Sequence, residues 1–96
     1  MAAHTVKRLV IVTAALYNAE YDIAERLGIT PRRDRRFIFV TDYEDTVRVM
    51  GLENFKFVFH GREPQRGGRI REFLLAVCRA TEVANLEEAL TWLTTP

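Results

Sequence analysis

The chain has 96 residues, of which 48% are hydrophobic and 28% are charged, and its formal net charge is +1. This length and composition predict one globular domain over residues 1–96 and exclude a disordered or fibrous chain. The sequence contains no serine and a single cysteine, which excludes serine hydrolases, an internal disulfide bond and a zinc site built on several thiolates. Neither standard glycine-rich phosphate loop is present and the only histidines are His4 and His60, so we expect no metal and no cofactor.

The beginning of the chain predicts a buried strand rather than a targeting segment. Lys7 and Arg8 precede an apolar run over residues 9–16, but polar residues follow at once and no small-residue cleavage pattern is present. No apolar run approaches the ~20 residues that a membrane-spanning helix needs. We therefore expect a cytoplasmic protein with no membrane partner, and we expect His4 to lie in a frayed N-terminus.

Three short apolar runs predict the strands of a sheet. Residues 9–12, 37–40 and 55–59 are rich in β-branched and aromatic side chains, as is typical of strands covered on both faces. The order of elements is β-α-β-α-β-α-α, which predicts a small three-layer α/β domain with a three-stranded, mostly parallel sheet, comparable to half of a Rossmann-like or flavodoxin-like arrangement. The strand order stays open between 2-1-3 and 3-2-1, and whether the chain forms a homodimer through a free sheet edge or a helix face stays open as well.

Apolar residues at helical spacing predict four helices. The first ends at Gly28, and the second begins with a capping box between Thr41 and Glu44 and ends at Gly51. The third is predicted over about residues 69–80, and the fourth begins at a second capping box over residues 85–88. The apolar faces of these helices carry Leu16, Ala19, Ile23, Leu27, Val47, Met50, Ile70, Phe73, Leu74, Val77, Cys78, Leu86, Ala89, Leu90 and Leu93.

Polar residues follow all three predicted strands, and in a parallel sheet these positions meet at one edge, where ligands commonly bind. Thr13 follows the first strand, Asp42 the second and His60 the third. Asp42 is a weak candidate for a metal ligand or nucleophile, and the simpler alternative is that it caps the short helix. His60 is a weak candidate for a general acid or base, and its alternative is a hydrogen-bonded histidine at a strand end. Cys78 is expected to pack in the core.

The most distinctive segment is an arginine- and glycine-rich loop that leads into the third helix. Guanidinium groups, free backbone amides and a helix N-terminus together predict a site for a phosphate or another anion. The alternative is a solvated hinge. The candidate anion-binding residues are Arg62, Arg66, Gly67, Gly68, Arg69 and Arg71.

The charges are unevenly distributed, although their sum is small. Residues 32–36 carry a net charge of +3 and are expected to form a solvated connection, whereas residues 42–53 carry −3. Twelve of the fourteen basic residues are arginine, which is typical of a GC-rich bacterial genome or of a phage of such a host.

Three functions remain open on this evidence. The first is a small soluble accessory or regulatory protein that binds another protein. The second is a binder of nucleic acid or of a phosphorylated ligand through the loop 62–71. The third is an enzyme that uses Asp42 and His60, and the shortage of catalytic groups makes it the least favoured.

Overall fold

A computed structural model describes residues 6–96, so His4 lies outside the described residues. Four strands are present: β1 (Arg8–Val12), β2 (Phe37–Val40), β3 (Phe55–Phe59) and β4 (Thr81–Glu82). Three α-helices are α1 (Leu16–Leu27), α2 (Gly67–Glu72) and α3 (Leu86–Thr94). The 3-10 helices span Pro31–Arg33 and Tyr43–Val49, and a π-helical segment, Phe73–Val77, continues α2.

The sheet is entirely parallel, and its strand order is β2-β1-β3-β4. This confirms the predicted α/β architecture and selects the order 2-1-3 for the three predicted strands. The fourth strand was not predicted, because Thr81–Glu82 is too short to show an apolar pattern. In the register of the sheet Val12 of β1 lies beside Val40 of β2 and Phe59 of β3, so these three strands end at one edge.

The sheet separates two hydrophobic cores. On one face α1 and α3 pack against alternate residues of the strands, and Ile23 and Leu90 are among the buried side chains. On the other face the helix Tyr43–Val49 and α2 with its π-helical continuation cover the sheet, and Phe57 and Leu74 are fully buried. Strands with both faces covered read as continuous apolar runs, which explains why the sequence predicts them clearly.

Two of the predicted helices have the expected core residues. In α1, Ala19 and Ile23 are buried, and the helix ends at Gly28, whose φ of 66° is left-handed and whose N–H donates to the carbonyl of Ala24. In α3 all four predicted residues are buried: Leu86, Ala89, Leu90 and Leu93. The side chain of Asn85 accepts a hydrogen bond from the backbone N–H of Glu88, as a capping residue does.

The predicted core face of the second helix is wrong. The segment Tyr43–Val49 is a 3-10 helix, so inward residues recur every third position, and Thr46 and Val49 are the ones that face the core. Val47 and Met50 are instead 65% and 63% exposed. The structure thus places two large apolar side chains on the surface.

The third helix also departs from prediction at its C-terminal end. From Phe73 onward it widens into a π-helix, in which the N–H of Cys78 donates to the carbonyl of Phe73, five residues earlier. The wider turn rotates Val77 out of the core, where it is 65% exposed, against the prediction. Cys78 is half-buried against the core, and burial raises the pKa of its thiol. Within residues 6–96 no helix is long and apolar enough to cross a membrane.

Candidate functional site

The carboxyl ends of the strands border a polar cleft of about 520 Å³. Residues that follow β1, β2 and β3 all contribute to it, as expected for the end of a parallel sheet. Thr13 lies beneath this edge, fully buried, and its hydroxyl accepts a hydrogen bond from the N–H of Ala15. The cleft is lined by Ala14, Thr41, Asp42, Tyr43, Glu44, Pro64, Gln65 and Arg66.

Asp42 caps the 3-10 helix. Its Oδ1 accepts a hydrogen bond from the N–H of Asp45 at 3.2 Å, and Oδ2 of Asp45 accepts one from the N–H of Asp42 at 3.3 Å. The predicted capping box between Thr41 and Glu44 is therefore displaced by one residue, because the extended residue that precedes the helix is Asp42 and the helix begins at Tyr43. The Thr41 hydroxyl donates instead to Oδ2 of Asp45, at 2.9 Å.

The Asp45 carboxylate accepts the hydrogen bonds on which this cap depends. We therefore expect the free energy of unfolding to change with pH as this carboxylate ionises. Burial raises the pKa of Asp45, but hydrogen bonds from Thr41 and the nearby Arg48 outweigh burial and hold the pKa below its ordinary value. A depressed pKa means that the ionised carboxylate stabilises the fold above the unfolded-state pKa, which is near 4. That contribution disappears as the pH falls through the lower pKa of the folded state.

We expect Asp45→Asn to lower the free energy of unfolding by about 1 kcal/mol at pH 7, as the loss of a helix cap does. Urea unfolding at pH 7 and near pH 3 measures the effect, and the difference between variant and wild type should shrink in acid. Glu44→Gln is the matched control, because Glu44 is exposed in the same turn. A difference that is equally large at both pH values would contradict the assigned role of the carboxylate.

His60 connects the end of β3 to α1. Its Nε2 lies 2.7 Å from Oδ2 of Asp22, and both side chains are partly exposed. His60 does not line the polar cleft that contains Asp42, so the structure does not bring the two catalytic candidates into one pocket. The imidazole is used as a hydrogen-bonding group between two elements, which was the alternative considered for it.

The arginines of the arginine- and glycine-rich loop differ in whether they contact other side chains of the protein. Arg71 makes two hydrogen bonds to the Glu82 carboxylate, at 3.0 and 3.1 Å, and these raise its pKa. The same guanidinium lies 4.1 Å from the ring centre of Phe59. The guanidinium of Arg69 lies over the Tyr43 ring at 4.9 Å. Arg71 thus connects α2 to β4 through a partly exposed ion pair.

The remaining candidates of the loop are Arg62, Arg66, Gly67 and Gly68. Both arginines are exposed, and Arg66 lines the polar cleft, where it shares the space with two acidic side chains, Asp42 and Glu44. Gly67 is buried and begins α2, whereas Gly68 is exposed. Anion binding by this loop therefore stays a prediction.

A second surface, a groove beside α1, was not predicted. Tyr17 and Tyr21 stand on successive turns of α1 and are 76% and 65% exposed. A groove of about 490 Å³ separates them from the connection that leads to β2, and its lining is mostly apolar. We call it the tyrosine groove, and its lining residues are Tyr17, Glu20, Tyr21, Ala24, Ile29, Thr30, Pro31, Arg32 and Arg33.

One wall of the tyrosine groove is held by an arginine. Arg32 donates two hydrogen bonds to the Glu20 carboxylate, at 2.7 and 2.9 Å, and its guanidinium lies 5.6 Å from the ring centre of Tyr17. The sequence does contain one signal of this surface, since Tyr17 and Tyr21 are four residues apart on the side of α1 away from the core. The approach of Arg32 to Tyr17 follows from the path of the connection and has no such signal.

Two arginines beside the groove lack an internal partner. Arg36 pairs with Asp34 at 2.7 Å, and Arg32 pairs with Glu20. Among the described residues no carboxylate pairs with Arg33 or Arg35, and both are exposed. The connection predicted to be merely solvated therefore presents two free positive charges next to an apolar surface.

Within residues 6–96 no group of three or more histidine, cysteine, aspartate or glutamate side chains is arranged to hold a metal ion. Comparison of the chain with protein-family models, with curated protein sequences and with solved structures finds no match. The function is therefore argued from the surfaces of the molecule themselves.

Proposed function

We propose that this protein is a small accessory module that acts by binding another protein, and that the tyrosine groove is its docking surface. The observation that carries the proposal is the exposure of Tyr17 and Tyr21 over an apolar groove, on a helix whose opposite face packs against the core through Ala19 and Ile23. Tyrosine and arginine are the residue types enriched at the energetic centres of protein interfaces. Ordinary surface helices place charged side chains at such positions.

The groove also suggests the chemistry of the partner. Its floor is apolar, with Ile29 and Pro31 among the lining residues, and it suits one or two apolar anchor side chains. Arg33 lines the groove, and Arg35 lines a neighbouring pocket together with Arg33; neither pairs with a carboxylate among the described residues, so they favour acidic residues next to those anchors. We infer a partner segment in which apolar anchors alternate with aspartate or glutamate.

Catalysis is the less supported alternative. The two catalytic candidates, Asp42 and His60, lie in different surroundings, and each is engaged in a structural hydrogen bond. A catalytic pair has to converge on a common reacting atom. A binding role makes no such demand on the residues at the strand ends.

The experiment is a selection of peptides from a displayed random library on the immobilised full chain, followed by affinity measurements on the selected peptides. We expect enrichment of peptides that combine apolar anchors with acidic residues. The double variant Tyr17→Ala with Tyr21→Ala should weaken their binding by about a hundredfold or more, because truncation of one interface hot spot costs about 2 kcal/mol or more. The control is Asn18→Ala with Glu25→Ala, two exposed positions of the same helix.

Two results would overturn the proposal. One is a set of selected peptides that bind the tyrosine variant as tightly as the wild type. The other is tight binding of a labelled single-stranded oligonucleotide that falls steeply with salt and is lost in Arg69→Ala, because it would assign the protein to phosphate binding through Arg62, Arg66 and Arg69.

A further inference from the structure

Strand β2 is an open edge of the sheet. It pairs only with β1, and the backbone N–H groups of Leu9 and Thr13 donate to the carbonyls of Arg36 and Val40. Because peptide groups alternate in direction along a strand, the N–H and C=O of Phe39 point away from β1. A second strand can therefore pair with β2 at Phe39.

The two edges of the sheet are protected differently. The edge strand β4 consists of two residues, and a very short edge offers little for another chain to pair with. Residues 37–40 of β2 are all apolar, and they include no proline and no charged residue that would prevent pairing. An unprotected apolar edge strand of this kind tends to pair with a strand of another chain.

The ends of β2 carry opposite charges. Arg35 and Arg36 precede the strand, and Asp42 and Glu44 follow it. When a second copy pairs in the antiparallel direction, the acidic end of its β2 lies beside the basic end of β2 in the first copy. At the other end of the interface, the basic end of the second copy lies beside the acidic end of the first. A parallel copy would bring like charges together at both ends, so the edge is self-complementary only in the antiparallel direction.

The local hydrogen bonds favour one register. The N–H of Phe37 already donates to the carbonyl of Asp34, and the N–H of Thr41 donates to the Asp45 carboxylate. This leaves Phe39 as the centre, so that the two copies exchange N–H to C=O hydrogen bonds at Phe39. Arg36 then lies opposite Asp42 of the second copy, and Nη1 of Arg36 is unused by its bond to Asp34. A register centred on Ile38 would set Asp34 against Asp42 instead.

We propose that β2 is the interface of a two-fold symmetric dimer, in which two copies pair antiparallel around Phe39 and form one continuous eight-stranded sheet. The occupant of this edge is thus a second copy of the chain. The residues that line the tyrosine groove lie outside the paired segment 36–42, so the dimer and the docking function proposed for the groove can fail independently.

The test is a charge exchange followed by sedimentation velocity over a range of protein concentrations. Arg36→Glu and Asp42→Arg each place like charges opposite one another at both ends of the dimer. Each should weaken self-association by more than about tenfold, because like charges set opposite one another at an interface repel. An equimolar mixture of the two variants restores opposite charges at both ends and should assemble as a heterodimer.

Circular dichroism of each variant establishes that it is folded, and Glu87→Arg on α3 is the control, which should dimerise like the wild type. A wild-type chain that stays monomeric at high concentration would overturn the proposal. Dimers that persist in both variants would place the interface elsewhere. Folded monomeric variants that fail to assemble when mixed would exclude the antiparallel register.

Discussion

Replacing Phe57 by alanine is expected to lower the free energy of unfolding by about 3–5 kcal/mol, the usual range for truncating a fully buried phenylalanine. Phe57 is completely inaccessible to solvent and lies in β3, between its register partners Val10 of β1 and Glu82 of β4. Its ring belongs to the core that α2 covers. The cavity left by Phe57→Ala removes packing contacts both within the sheet and between the sheet and α2.

Urea denaturation followed by circular dichroism measures the effect of Phe57→Ala. Since small domains are stabilised by about 5–15 kcal/mol in total, the variant should unfold at a much lower urea concentration. Tyr21→Ala is the matched control, because it removes an aromatic ring that is largely exposed and should change the midpoint only slightly. Similar shifts for the two variants would contradict the placement of Phe57 in the core.

Ile23 lies in the core on the other face of the sheet from Phe57. Replacing it by alanine should lower the free energy of unfolding by about 2–5 kcal/mol. Ile23 is fully buried and is the central core contact of α1, beside Ala19. Alanine favours helix formation, so the loss would come from packing and not from helix propensity. The same helix carries Tyr17 and Tyr21, and its docking against the sheet therefore also holds the tyrosine groove in place.

Equilibrium unfolding of Ile23→Ala can be compared with Glu25→Ala, an exposed position on the same helix. The control should stay within about 0.5 kcal/mol of the wild type, as is usual for surface substitutions. Equal destabilisation by both would contradict the placement of Ile23 in the core. A small effect of Ile23→Ala alone would mean that the core relaxes around the truncated side chain.

The strands and the last helix were predictable because their signals are local. Strands β1, β2 and β3 are covered on both faces, so nearly every residue in them is apolar, and in α3 the spacing of four buried residues follows the helical period. The positions of Asp42 and His60 at one edge also follow, since parallel strands end together. These inferences need only the spacing of apolar residues along the chain and the direction of the strands.

The second and third helices show where local reasoning fails. The apolar residues Val47, Met50 and Val77 were assigned to core faces on α-helical spacing, yet the segments are 3-10 and π-helical. A change from 3.6 to three residues per turn, or a widened turn, redirects side chains without changing the sequence pattern. Which turn forms is decided by packing on the sheet.

By itself, the amino-acid sequence determined the α/β class, the three main strands, the C-terminal end of α1 and the beginning of α3, because each depends on residues close together in the chain. Only the tertiary structure decided the strand order, the fourth strand, the pairing of Arg71 with Glu82 and the approach of Arg32 to Tyr17. These features join residues that are distant in sequence, and their geometry is set by how helices and connections pack on the sheet. The tyrosine groove and the open edge of β2 belong to this second group, and on them the proposed functions depend.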